Sequence, residues 1–108
     1  MLNNFVIVGR ITKIESEKIE NGANKTIVTL AVSRSFKNIN GEYETDLIPC
    51  TLFGGVAETT KEYCKNGDLI ATKGRIQTNN NTLELIAERV SFLTSKSSEE
   101  LEREEDGE

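Results

Sequence analysis

Apolar and polar residues alternate with a period of two in five separate runs, and the period changes once between the third and the fourth. The first run, Asn4 to Ile14 (NFVIVGRITKI), is rich in β-branched residues and holds Gly9 in its middle, where a strand glycine marks a bend or bulge. The second, Thr26 to Ser33, turns Val28, Leu30 and Val32 to one side. In the third, Glu42 to Phe53, Ile48, Cys50 and Leu52 form a core face, and Leu47, Pro49, Thr51 and Phe53 point the opposite way. Pro49 lacks a ladder donor and therefore needs an edge or a bulge. Over Gly54 to Lys65 the residues Val56, Ala57, Thr60, Tyr63 and Cys64 fall on one face of a helix, which Asn66-Gly67 stops. Strand period returns in Asp68 to Thr78, with Gly74 inside it, and in Thr82 to Leu93. Asn40-Gly41 is a strong hairpin signal and Asn79 to Asn81 a short turn. The polar stretch from Glu15 to Lys25, with Asn21-Gly22, reads as an exposed loop.

Three strands, a helix and two strands is the order of the OB-fold, a five-stranded, partly open Greek-key barrel. The expected class is therefore all-β, with one helix between strands 3 and 4. An SH3-like barrel has five strands as well, but leaves a three-turn helix unexplained. Residues 1–93 are expected to form the single domain that a chain of 108 residues allows. From Thr94 the apolar pattern stops, and residues 94–108 read as a disordered acidic tail. Charge sharpens this division. Residues 1–92 carry 11 basic and 11 acidic side chains, so the whole net charge of −5 sits in the last sixteen residues.

Other absences narrow the chemistry. The chain has no histidine, which removes the commonest general base and the commonest metal ligand. Its two cysteines, Cys50 and Cys64, lack metal-site spacing and read as reduced, packed thiols. No catalytic residues, metal or cofactor are expected, so the chain reads as a binding protein and not an enzyme. No stretch approaches the roughly 18 apolar residues of a membrane helix. The opening MLNN has neither a basic nor a long apolar region, so a cytoplasmic location is expected. OB barrels mostly bind single-stranded nucleic acid or oligosaccharide on one face.

Five segments carry a more specific signal: MLNNFVIVGRITK, TLAVSRSFKN with the GE that follows its turn, CTLFGGVAE, KNGDLI and GRIQT. In this order, over about residues 1–93, they resemble the bacterial and phage-type single-stranded DNA-binding (SSB) protein family. The resemblance implies sequence-nonspecific binding of single-stranded DNA by aromatic stacking and phosphate contacts, in replication, recombination or repair. It also implies a homo-oligomer, a homotetramer or else a dimer. The chain departs from the family pattern in four ways. It has no tryptophan, and Leu47 stands where an aromatic is usual. Asn79–Asn81 replaces a longer loop, and the acidic-hydrophobic terminal peptide that recruits partner proteins is absent.

Phe53 is a candidate stacking platform because strand parity puts it outside the barrel and because it matches a family phenylalanine; a plug beneath the helix is its competing role. Phe36 matches a family stacking aromatic but shares parity with Val28, Leu30 and Val32, so the strand must twist or bulge near Ser33 to turn it out. Tyr43, just past the hairpin turn, is either a platform or an ordinary surface tyrosine. Arg34, Lys37, Lys73 and Arg75 are the candidate phosphate contacts. Phe5, Tyr63 and Phe92 lie in apolar patterns and read as core or interface. Two other functions stay open at this point: an RNA binder or nucleic-acid chaperone of the cold-shock kind, although its clustered Gly-Phe-Gly-Phe run is missing, and an oligomeric paralogue that has lost tight DNA binding.

Overall fold

The computed structural model describes residues 1–18 and 24–95. The strands are β1 (Phe5–Lys18), β2 (Asn24–Lys37), β3 (Tyr43–Phe53), β4 (Leu69–Asn79) and β5 (Thr82–Thr94), and helix α1 (Gly54–Tyr63) joins β3 to β4. They close into a barrel in the order β1-β2-β3-β5-β4, with β4 returning to β1. All neighbours are antiparallel except β3 and β5, which meet in parallel over Cys50–Leu85 and Thr51–Ile86. This is the OB architecture expected from the element order.

The interior is filled by the alternating positions that the pattern assigned to it. Val28, Leu30, Cys50 and Leu52 are fully buried together with Ile11, Ile70 and Phe5. Ile48 and Val32 pack against this core from nearer its rim. Helix α1 lies against β2, β3 and β5 and sends Ala57 into the core. Pro49 pairs with Thr29 on β2, where β3 has no second neighbour because the β5 pairing begins at Cys50. Its missing donor therefore breaks no ladder between two partners. Both thiols are free; burial pushes Cys50 above the usual thiol range, partly offset by its contact with the Thr72 hydroxyl.

Gly74 shows why a barrel strand needs a residue without a side chain. It sits at a register shift in the β4–β5 ladder, and an added Cβ would lie 1.8 Å from the Ile86 carbonyl oxygen. The bend expected at this glycine is therefore a bulge that brings two backbones into contact. In the β4–β5 turn, Asn80 and Asn81 both adopt positive φ, the conformation that tight two-residue hairpins require.

Two expectations are corrected and a third is narrowed. Glu15–Lys18 and Asn24–Lys25 are not loop but strand, paired from Glu15–Ile27 to Lys18–Asn24. Glu15, Ser16 and Glu17 are exposed, so no apolar alternation marks this stretch; ladder hydrogen bonds and a contact between the Ser16 hydroxyl and that of the buried Thr26 hold it. The proposed Asn21-Gly22 turn lies outside the described residues, as do residues 96–108 of the acidic tail. Of the three aromatics read as core or interface, Phe5 is core, while Tyr63 and Phe92 are 71% and 52% exposed in the single chain, which excludes the core and leaves the interface reading. Tyr63 ends α1, beyond the last turn that faces the barrel. β2 also runs four residues past Ser33, to Lys37, and that extension bears on the site.

Candidate nucleic-acid interface

The β2–β3 hairpin builds the candidate surface. Along β3 the alternation holds except at Thr51, which lies on the outer face yet is buried between its β2 and β5 neighbours. Cys50 and Leu52 enter the core, while Tyr43, Leu47 and Phe53 are exposed on the opposite face. Ten residue steps separate Tyr43 from Phe53, so this row of apolar rings and side chains is about 33 Å long at the usual strand rise. Phe53 sits at the junction with α1, opposite Lys25 of β2. It is 40% exposed, so part of its ring is open to solvent.

Phe36 lies in a break in register near the exposed end of β2. Ser33 pairs with Thr45 and Lys37 with Tyr43, so three residues of β2 (Arg34, Ser35 and Phe36) face the single residue Glu44 of β3. The register shift expected near Ser33 is present, but it adds two residues, an even number, and so leaves the alternation of faces unchanged; Phe36 is 63% exposed because β2 from Ser33 to Lys37 runs clear of the core. Lys37 lies in register with Tyr43 and holds its ammonium 5.8 Å from the centre of the tyrosine ring.

The turn that joins the strands is organised by Asn38. Its side-chain oxygen accepts hydrogen bonds from the backbone N–H groups of Asn40 and Glu42, at 2.9 and 3.0 Å. Gly41 follows with a φ of 79°, which a residue with a side chain seldom adopts.

The candidate cations fall into different settings. Arg34 does not share the aromatic face. Its guanidinium forks onto Asp46, with Nε donating at 3.0 Å and Nη2 at 2.9 Å, and Nη1 donates to Glu44 at 2.8 Å. Glu44 and Asp46 alternate with Tyr43, Thr45 and Leu47, so this cluster occupies the face of β3 that continues from the core. The hydrogen bond from Arg34 holds the Asp46 carboxyl below its ordinary range, and the two acidic groups raise the arginine in turn. Lys73 and Arg75 are on the outer face of β4, separated from β3 by β5. Arg75 donates to Glu88 at 2.6 Å and to Gln77 at 3.0 Å. Lys73 pairs across the ladder with Arg89, and with Asn4 and Glu88 they line a shallow depression.

The structure therefore brings together Phe36, Lys37, Tyr43 and Phe53 on one hairpin and leaves Lys73 and Arg75 elsewhere. It adds two cations that the pattern did not single out, Lys25 beside Phe53 and Arg89 beside Lys73. Only the strand register reveals either; a signal for Lys25 exists in its position opposite Phe53 once the Asn40-Gly41 hairpin is laid out. Among the described residues no cluster of three or more His, Cys, Asp or Glu could hold a metal ion, and no helix is long and apolar enough to cross a membrane.

A closed OB barrel with an exposed, ring-bearing hairpin defines a binding protein of the oligonucleotide-binding class. Comparison with known proteins narrows it. The model of the single-strand binding protein family matches residues 2–93, and the chain belongs to that family. It is 42% identical over 106 residues to single-stranded DNA-binding protein B of Bacillus subtilis, covering 89% of this chain and 94% of that protein. It is 38% identical to single-stranded DNA-binding protein 3 of Streptococcus agalactiae, covering 93% of this chain and 80% of that one. Single-stranded DNA-binding protein 2 of Staphylococcus aureus is 41% identical, covering 89% and 75%.

Proposed function

We propose that the chain binds single-stranded DNA without sequence preference and protects it during replication, recombination or repair, as a cytoplasmic homo-oligomer. The exposed row of Phe53, Leu47 and Tyr43 with Phe36 beside it, in a member of the single-strand binding protein family, carries this reading. Bases stack on the rings, each worth about 1–3 kcal/mol. Lys37 and Lys25 meet the backbone between them, and Lys73 and Arg75 extend the path over β4, Arg75 by exchanging its contact with Glu88 for a phosphate. The chain works by binding and is not an enzyme, as its family membership implies. Residues 1–93 serve as the DNA-binding domain, with 94–108 as an acidic appendage.

Fluorescence-anisotropy titration of labelled oligo-dT at two salt concentrations tests the function. Each phosphate contact on a single strand contributes about 0.7 to the slope of log affinity against log salt. With some four cations per subunit in play, the slope should not exceed about 3 in magnitude. Duplex DNA of the same length should bind far more weakly, since its bases cannot reach the rings. Equal binding of duplex and single strand would exclude stacking, and preference for an RNA oligomer over dT would favour the cold-shock type of function.

Self-association is the second expectation. Val6 and Val8 are exposed on β1, although the strand's other face fills the core. From Phe5 to Gly9 this strand is paired only with β4, which leaves its other backbone edge free for a second copy. Light scattering is expected to give four times the 12.0 kDa chain mass, as a pair of dimers. Val6→Glu together with Val8→Glu should lower that mass. A wild-type monomer at micromolar concentration would rule the assembly out.

A further inference from the structure

Arg34 is a candidate phosphate contact by sequence, but its surroundings suit a different task. Its fork onto Asp46 and its bond to Glu44 use all three of its nitrogens. The second Glu44 oxygen accepts from the Asn38 side-chain amide at 3.0 Å. The Asn38 carbonyl oxygen of the same side chain accepts from Asn40 and Glu42, and its backbone N–H donates to the Glu42 carbonyl at 2.7 Å. One continuous polar chain thus runs from Asp46 through Arg34, Glu44 and Asn38 into the turn. It crosses the ladder at the register shift that contains Phe36 and occupies the face of β3 opposite Tyr43, Leu47 and Phe53.

We propose that Arg34 is a positioning residue: bound to Asp46 and Glu44, it braces the β2 bulge that presents Phe36 to a DNA base, and it does not itself bind phosphate. The proposal rests on the reading of the β2–β3 hairpin as the stacking surface. A bulge in an exposed hairpin has no core beneath it to fix its shape. A planar guanidinium can fix it, because it fits a carboxylate through two parallel bonds and reaches a second acid with its third nitrogen. Lysine has the charge but not the fork.

Three variants of the full chain decide the matter by oligo-dT titration at several salt concentrations. Arg34→Gln and Arg34→Lys are each expected to weaken binding by a similar factor, about 2- to 10-fold, with the salt slope unchanged. Glu44→Gln/Asp46→Asn, assayed at high salt where the lost negative charge is screened, should weaken binding alike. In a Phe36→Ala background Arg34→Gln should have no further effect, because its action runs through that ring. Circular dichroism melts verify that the barrel stays folded; should Arg34→Gln fail to fold, the Glu44→Gln/Asp46→Asn pair and Arg34→Lys give the answer. Wild-type affinity in Arg34→Lys, a slope reduced by about 0.7 in Arg34→Gln, tighter binding by Glu44→Gln/Asp46→Asn, or additivity with Phe36→Ala would each overturn the proposal. If Phe36→Ala alone binds as wild type, the stacking role of Phe36 fails as well, and that result is distinct from the others.

Discussion

Gly74→Ala is expected to destabilise the barrel by about 3 kcal/mol or more, the upper end of what overpacking costs. The added methyl group would stand 1.8 Å from the Ile86 carbonyl oxygen and 2.9 Å from its carbon. A clash with the tip of a flexible side chain can be relieved by a rotamer change. Here the obstacle is backbone, held by the β4–β5 ladder on one strand and by the β3–β5 pairing at Ile86 on the other. Relief requires the bulge to open, which would separate the two strands that close the barrel. For a domain of this size, 1 kcal/mol corresponds to about 4–8 °C, so the thermal midpoint should fall by roughly 10 °C or more. Gly55→Ala is the control: nothing lies within 4 Å of the position, which belongs to a helix. Alanine there should be neutral or slightly stabilising, since it propagates helix better than glycine. A Gly74→Ala protein that melts with the wild type would show that the register shift tolerates a side chain.

How far such positions can be read without coordinates depends on whether a side chain must choose between oil and water. From Leu47 to Phe53 the period of two assigned Cys50 and Leu52 to the core and Leu47 and Phe53 to the surface correctly, and missed only that Thr51, on the outer face, is covered by its strand neighbours. Ala57 and Thr60 were legible on α1 for the same reason. Glu15 to Glu17 make no such choice, because all three are exposed although Thr26, opposite Ser16, is buried; backbone hydrogen bonds hold this part of the arm, and these leave no trace in the residue pattern. Tyr63 and Phe92 show the limit of the apolar pattern. Their surroundings in sequence suggested core or interface; the interior of the barrel is filled by Ile70, Leu52 and their neighbours, so the core half of that reading fails and the interface half stands as an expectation. The Phe36 parity conflict was visible in advance; it is resolved where β2 leaves the core, since Ser33 to Lys37 are all exposed. The partners of Arg34 were not, because pairing Arg34 with Glu44 and Asp46 requires knowing that β2 gains residues on β3 between Ser33 and Lys37. Charge type could nominate Arg34, Lys73 and Arg75 together; only topology separates the hairpin from β4.

Phe53→Ala is expected to weaken binding of oligo-dT by about 1–3 kcal/mol per site, equivalent to roughly 5- to 150-fold, through the loss of one stacked base. The ring is suited to this because it is fixed at one end and open at the other. Its backbone is strand, in register with Lys25, and the next residue begins α1, so the Cα position is set by two elements. Phe53 is also the residue that caps the helix, but its side chain makes no capping hydrogen bond, so alanine removes none. Stability should therefore change far less than the roughly 3–5 kcal/mol that deleting a core phenylalanine costs. The salt slope should stay at the wild-type value, since the ring carries no charge and releases no counterions; affinity falls by the same factor at every salt concentration. This combination separates stacking from its rivals. A structural ring would lower the melting temperature and leave the affinity per folded molecule unchanged. A change acting through displaced lysines would flatten the slope. Measuring affinity, slope and thermal midpoint on the one variant is enough, and either rival result would remove Phe53 from the DNA-binding surface.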